Sequence, residues 1–132
     1  MRVTADTNVL VRAVVGDNPS QAAAAEKLLL RSELVALPLP CLCELVWVLR
    51  GVYRLQRPEI AEAIESLIDA ENAVVNRPAA EAGLAVLRAG GDFADGVIAW
   101  EGRWLGGETF VSFDKKAVST MTALGEAARL LE

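Results

Sequence analysis

Two aspartates directly follow short apolar runs that have the length of a β-strand. Asp6 follows the first such run, and Asp114 follows the run at positions 110–113. Because ligands of parallel sheets bind beyond the carboxyl ends of the strands, we expect both carboxylates at one edge of a sheet. For each residue alone the simpler interpretation is that it caps the following helix, since Asp is a favoured N-cap residue. Their joint placement favours a site.

Glu44 is the only charged residue in the apolar segment 34–49. At about 100° per residue, a helix there is apolar on nearly all sides, which predicts that it is largely buried. A buried carboxylate is costly unless it is paired or binds a metal ion, which favours a functional role for Glu44. The alternative is that Glu44 lies on a narrow solvent-facing strip. Trp47, Trp100 and Trp104 also lie in apolar helices, and we interpret them as core residues.

Asp92 and Asp95 are three residues apart, so they share one face of a helix at its N-terminal turn. A cap residue with an acid three positions later is close to the capping-box pattern, which explains Asp92 well. It explains Asp95 less well, because Asp95 lies one turn into a helix that continues with Val97, Ile98 and Ala99. Asp95 is therefore the stronger candidate for chemistry.

If these acids lie together, their charge requires a cation. Two carboxylates about 4 Å apart repel by roughly 4 kcal/mol at an effective dielectric constant of about 20. The chain has no histidine, which excludes Ser-His-Asp catalysis and His-ligated zinc. All-oxygen ligands favour Mg²⁺ or Mn²⁺. Such ions, held by carboxylates at the edge of an α/β sheet, are typical of enzymes that cleave phosphate esters with an activated water.

Alternating strand-like and helix-like segments predict the framework that positions the acids. Asn18 and Pro19 form an N-cap followed by proline, and further helices begin near Pro58 and between Asn76 and Pro78. The predicted strands are at 2–5, 34–37, 73–75, 109–113 and 128–131. This alternation predicts an α/β fold with a mainly parallel central sheet of about five strands and helices on both faces. A length of 132 residues fits one domain over 1–132.

Composition narrows the class of protein. The net charge is −5, which argues against binding duplex DNA through a broad basic surface. Without Asp6, Glu44, Asp92, Asp95 and Asp114, the remaining acids and bases balance at 13 each. Two cysteines, Cys41 and Cys43, are too few for a zinc site or a disulfide framework and indicate a reducing compartment. With no evident signal peptide or membrane span, we expect a cytoplasmic protein.

Four segments of the chain together resemble the PIN-domain ribonucleases, and most closely the VapC toxins of bacterial and archaeal toxin–antitoxin pairs. The resemblance extends from Arg2 to about Leu131 and is carried by these segments: Asp6-Thr7-Asn8-Val9-Leu10, Cys43-Glu44-Leu45 with Trp47-Val48-Leu49, Asp92-Phe93-Ala94-Asp95-Gly96-Val97-Ile98-Ala99, and Ser112-Phe113-Asp114-Lys115-Lys116. Each segment is a weak signal alone, but four in the right order and spacing are specific.

The resemblance implies a site and an activity. Asp6, Glu44, Asp95 and Asp114 match the family's acidic quartet, with Asp6 and Asp95 as the first metal ligands and Glu44 and Asp114 as further ones. Asp92, Asn8 and Ser112 match accessory positions beside the acids. The implied activity is endonucleolytic cleavage of RNA that depends on Mg²⁺, with Mn²⁺ as a substitute. The implied partners are a VapB-like antitoxin and a second copy of the chain in a homodimer.

The match departs from the family pattern at Gly96, where alanine is common after the third acid. Glycine inside a helix costs about 1 kcal/mol relative to alanine, so Gly96 predicts a locally weaker helix rather than altered chemistry.

Basic residues near the acids suggest where RNA or an antitoxin would make contact. Arg50, Arg54 and Arg57 form one stripe if the helix of Glu44 continues past Gly51, although an ordinary solvated face explains them equally well. Lys115 and Lys116 follow Asp114 directly and are better placed to meet a phosphate.

Two other functions fit parts of the pattern. A haloacid-dehalogenase-like Mg²⁺ phosphatase also begins with a strand and would use Asp6 as its nucleophile. Those enzymes need a second Asp two residues later, where this chain has Asn8. A catalytically weak PIN-like module that only binds a partner is the other alternative, and the presence of all four acids argues against it.

Overall fold

The computed structural model describes residues 1–132, and the chain divides into two compact units, Met1–Asn76 and Arg77–Glu132. The first unit contains three parallel strands and four helices. In chain order these are β1 (Arg2–Thr4), α1 (Thr7–Val15), α2 (Pro19–Arg31), β2 (Leu34–Ala36), α3 (Leu39–Gly51), α4 (Arg57–Ile68) and β3 (Ala73–Val74). The strand order is β1-β2-β3, and Val35 of β2 pairs with Val3 on one side and Ala73 on the other.

The core of the Met1–Asn76 unit is built by helices that bury one apolar stripe each. Leu10, Leu42, Leu45, Leu49 and Ile60 are completely buried. Helix α1 packs against α2 and α3, and α3 packs against α4.

Local signals explain where two helices of this unit begin and how one is held at its end. Asn18 caps α2 by accepting a hydrogen bond from the Gln21 N–H, as its place before Pro19 predicts. At the C-terminal end of α2, the carbonyl oxygens of Leu29 and Ser32 accept hydrogen bonds from Asn72 Nδ2, at 2.7 Å and 2.9 Å. Helix α4 begins at Arg57, one residue before Pro58, and carries a capping box formed by Gln56 and Glu59.

The Arg77–Glu132 unit contains three helices and two parallel strands: α5 (Arg77–Arg88), α6 (Phe93–Trp104), β4 (Phe110–Ser112), α7 (Lys115–Ala123) and β5 (Ala128–Leu130). Strand β4 pairs with β5 in a sheet of its own, with Val111 opposite Arg129. Phe93 and Met121 are buried in its core.

Helices α5 and α6 approach closely at two glycines. A Cβ atom at Gly83 would lie 2.7 Å from the Phe93 ring, and one at Gly96 would lie 2.3 Å from the carbonyl oxygen of Ala82. Real Cβ atoms essentially never approach other atoms this closely. Gly96 is therefore required by the packing of α6 on the main chain of α5, a reason for glycine that helix propensity alone does not reveal.

The α/β class and the parallel strands are confirmed. Contrary to the prediction, the five strands are not all hydrogen-bonded in one sheet. The strands divide into a three-stranded and a two-stranded sheet. Strands β1 and β4 are hydrogen-bonded in different sheets, and the expectation that Asp6 and Asp114 project from one sheet edge stays a prediction. The strands are only two or three residues long, and such short apolar runs carry no sequence information about which strand pairs with which.

No helix in the structure combines the length and the apolar character that a membrane-spanning segment requires.

Candidate functional site

In the Met1–Asn76 unit, Asp6 and Glu44 are linked through one residue. Asp6 is the N-cap of α1, and its Oδ1 accepts a hydrogen bond from the Thr7 N–H at 2.8 Å. The Thr7 hydroxyl donates to Glu44 Oε2 at 3.3 Å, across 37 residues of sequence. Sequence reasoning missed Thr7 as a site residue, and its one signal was its position directly after Asp6.

Glu44 is exposed, and the expectation that it is buried is wrong. Helix α3 buries only the stripe of Leu42, Leu45, Val46 and Leu49. Glu44 and Trp47 lie outside this stripe, and Trp47 is 70% exposed. The solvent-facing strip is thus the correct placement of Glu44, and its candidacy rests on the family pattern and on the Thr7 contact rather than on burial.

The other two tryptophans also differ from expectation. Trp104 is 75% exposed, so it is not a core residue. Trp100 is half-buried, and its ring lies 5.8 Å from that of Trp104. Both lie towards the C-terminal end of α6. The buried residues of this helix lie in its first half.

In the Arg77–Glu132 unit, two acids cap helices. Asp92 is the N-cap of α6, and its Oδ1 accepts from the Ala94 N–H at 3.2 Å. Asp114 is the N-cap of α7, and its Oδ1 accepts from the N–H groups of Lys116 (2.9 Å) and Ala117 (3.2 Å). The capping interpretation is therefore correct for Asp6, Asp92 and Asp114. In each case the capping hydrogen bonds are accepted by Oδ1.

Asp95 differs from these acids because it is half-buried in the first turn of α6. Burial raises the pKa of Asp95, and the negative charges of Asp92 and Asp114 raise it further. The charges of Asp92 and Asp114 therefore act on the Asp95 carboxylate. None of Asp6, Glu44, Asp92, Asp95 and Asp114 forms an ion pair, although Arg2, Arg12, Arg77 and Arg103 each pair with another acid.

The two accessory polar residues are placed differently. Ser112 Oγ accepts a hydrogen bond from the Asp114 N–H at 3.0 Å, so it stabilises the turn that carries Asp114. Asn8 is exposed and lines a cleft of about 470 Å³ between α1 and α2, together with Arg12 and Gln21.

The proposed arginine stripe does not exist. Helix α3 ends at Gly51, and the chain turns so that the Leu55 N–H bonds to the Leu49 carbonyl. Arg54 adopts a left-handed conformation with φ of 57°, Arg57 begins α4, and Arg50 Nη1 donates to the Leu55 carbonyl at 3.4 Å. Lys115 and Lys116 are both exposed at the start of α7.

The residues present suit a hard divalent cation, since carboxylate oxygens are its preferred ligands. The repulsion that Asp95 experiences from Asp92 and Asp114 is of the kind that a bound cation relieves. No group of three or more Asp, Glu or Cys side chains is arranged so that it could hold a metal ion as it stands.

Comparison with known proteins identifies the family. The family model of the PIN domain matches residues 3–120, a range that contains all five acids. A search of curated proteins found no match. PIN domains are generally nucleases that depend on divalent metal ions. Because the model matches most of the sequence, the chain belongs to the PIN-domain family.

Proposed function

We propose that the protein is a Mg²⁺-dependent endoribonuclease and the toxin of a VapBC-type toxin–antitoxin pair. The observation that carries this proposal is that Asp95 is half-buried and experiences the negative charges of Asp92 and Asp114, within a chain that belongs to a nuclease family. Carboxylates that serve only stability are usually paired or solvated, whereas Asp95 is half-buried next to two further acids. Unpaired acids of this kind suit a cation and a phosphate.

Asp6, Glu44, Asp95 and Asp114 are the proposed catalytic acids. Asp6 and Asp95 are the proposed first ligands of Mg²⁺ or Mn²⁺, with Glu44 and Asp114 as further ligands. A bound divalent cation would polarise a phosphate oxygen of the substrate and lower the pKa of an attacking water.

The chain's own residues supply orientation around these acids. Two main-chain N–H groups donate to Asp114 Oδ1 and so fix the orientation of this carboxylate. Ser112 holds the main chain on the other side of Asp114. Lys115 and Lys116 add positive charge next to this acid, where the backbone of a nucleic acid would be attracted. Since histidine is absent, imidazole cannot transfer protons, and carboxylates and water are the proposed proton carriers.

RNA and the toxin role are supported by the resemblance of four segments to VapC toxins. The proposed partners are single-stranded or loop RNA, a VapB-like antitoxin that blocks the acids, and a second copy of the chain. The proposed compartment is the cytoplasm. Co-expression of a short protein encoded just upstream should suppress cleavage if the toxin role is correct.

The test uses purified protein and a single-stranded RNA that is labelled at one end. Cleavage should require Mg²⁺ or Mn²⁺, stop with EDTA and return when the metal is restored. A DNA strand of the same sequence should remain intact. Asp6→Asn should abolish cleavage, whereas Glu62→Gln should not, because Glu62 is an exposed acid of α4 outside the proposed site.

Cleavage that continues in EDTA, or that is equal in Asp6→Asn and Glu62→Gln, would contradict the proposal. A parent protein that binds Mg²⁺ and RNA without cutting the RNA would instead be a binding module.

A further inference from the structure

Thr7 contacts both acids of the Met1–Asn76 unit through different atoms. Its main-chain N–H donates to Asp6 Oδ1 at 2.8 Å. Its hydroxyl donates to Glu44 Oε2 at 3.3 Å, joining the first residue of α1 to the middle of α3. One residue therefore contacts two carboxylates that are 38 positions apart in the sequence.

Glu44 has no other support. It is exposed, it forms no ion pair, and the Thr7 hydroxyl is its side-chain hydrogen-bond partner. An exposed Glu side chain samples several rotamers, and a ligand that needs one of them binds more weakly in consequence. A donor that selects one rotamer in advance reduces this loss.

The contacts use one oxygen of each carboxylate and leave the other open. Asp6 Oδ1 and Glu44 Oε2 accept from Thr7, so Asp6 Oδ2 and Glu44 Oε1 are open. Partners of this kind orient the residues that ligate metals, and their removal typically weakens metal affinity or activity by about 10–100-fold.

We propose that Thr7 is a positioning residue that presents Asp6 and Glu44 to a divalent cation. This inference rests on the proposed function, in which both acids bind the metal ion. Threonine suits the role because its β-branched side chain has few χ1 rotamers, so its hydroxyl is held in a defined direction. Valine has the same shape without the donor, and serine keeps the donor without the branch.

The test measures Mn²⁺ binding to the full chain without RNA, by electron paramagnetic resonance, in four proteins. Thr7→Val should weaken Mn²⁺ binding by about 10–100-fold. Thr7→Ser should bind Mn²⁺ with an affinity within a few-fold of the parent's, because serine keeps the hydroxyl donor. Thr122→Val should bind as the parent does, because Thr122 is an exposed residue of α7 with no side-chain hydrogen bond. Parent-like binding by Thr7→Val, or an equal loss in Thr7→Ser, would overturn the inference.

A double-mutant comparison separates positioning from general damage to the fold. With Glu44→Gln as the background, Thr7→Val should cause a much smaller further loss of Mn²⁺ binding, because the carboxylate that the hydroxyl positions is already gone. An equal loss in both backgrounds would overturn the inference. If the parent binds Mn²⁺ but cleaves no RNA, the proposed nuclease function fails while the binding series still decides the role of Thr7.

Discussion

Replacing Gly96 with alanine separates two opposite expectations for the same helix. Helix propensity alone predicts that Gly96→Ala stabilises α6 by about 1 kcal/mol. In the structure, however, the new Cβ would lie 2.3 Å from the Ala82 carbonyl oxygen and 2.8 Å from the Gly83 Cα. Both obstacles are main-chain atoms, so no side-chain rotation relieves them. Ordinary contact requires α5 and α6 to separate by about 1 Å.

The size of the effect follows from these two terms. Overpacking that shifts the main chain costs about 1–3 kcal/mol, and the close approach places this site at the upper end. After the gain in helix propensity, the net loss of unfolding free energy should be about 2 kcal/mol. For a chain of this size that corresponds to a fall in Tm of about 6–10 °C.

The assay is thermal and urea denaturation of Gly96→Ala and Gly102→Ala, followed by circular dichroism. Gly102 is a suitable control because it lies in the same helix, where an added Cβ would meet no atom within 4 Å. Gly102→Ala should leave stability unchanged or raise it by up to about 1 kcal/mol. A Gly96→Ala protein that melts at or above the parent would refute the packing argument.

Three further changes test individual interactions. Burial and neighbouring charge raise the pKa of Asp95 above its ordinary value of 3.8, so the ionised form of Asp95 is less stable in the folded protein than in the unfolded chain. Without metal, Asp95→Asn should therefore have a higher Tm than the parent at pH ~7. The two proteins should have the same Tm below pH 3.8, where Asp95 is protonated in both states. Hydrogen bonds from Tyr53 and Arg12 lower the pKa of Asp17. Asp17→Asn should therefore lower the unfolding free energy measured in urea at neutral pH. The difference in unfolding free energy from the parent should vanish as the pH falls below the native pKa of Asp17. Asn72→Ala removes two hydrogen bonds to main-chain carbonyls and should lower the unfolding free energy in urea by about 2 kcal/mol; an unchanged midpoint would contradict this role.

Local signals in the sequence were sufficient to predict most helix starts. The cap at Asn18 and the capping roles of Asp6, Asp92 and Asp114 depend on residues two or three positions away, so sequence spacing reveals them. The sequence left open whether α3 ends at Gly51. The turn that follows was not predictable in the same way, because Arg54 takes a left-handed conformation that non-glycine residues seldom adopt.

Features that depend on distant residues were missed or misjudged. Gly96 looks unfavourable in its own helix, and only the approach of α5 explains it. Thr7 acts on a residue 37 positions away. Trp47 lies in an apolar segment but on the exposed side of its helix, since α3 is covered on one face only. Periodicity shows which residues are apolar, whereas burial depends on how many neighbouring elements cover the helix.

The most direct test of the central claim compares RNA cleavage and stability for the parent and Asp95→Asn in the same Mg²⁺ buffer. If Asp95 helps to hold the metal ion, Asp95→Asn should cut at least ~100-fold more slowly. Its Tm without metal should equal or exceed that of the parent, which excludes unfolding as the cause. A variant that cuts the same RNA at the parent's rate would contradict the claim that these acids form the nuclease site.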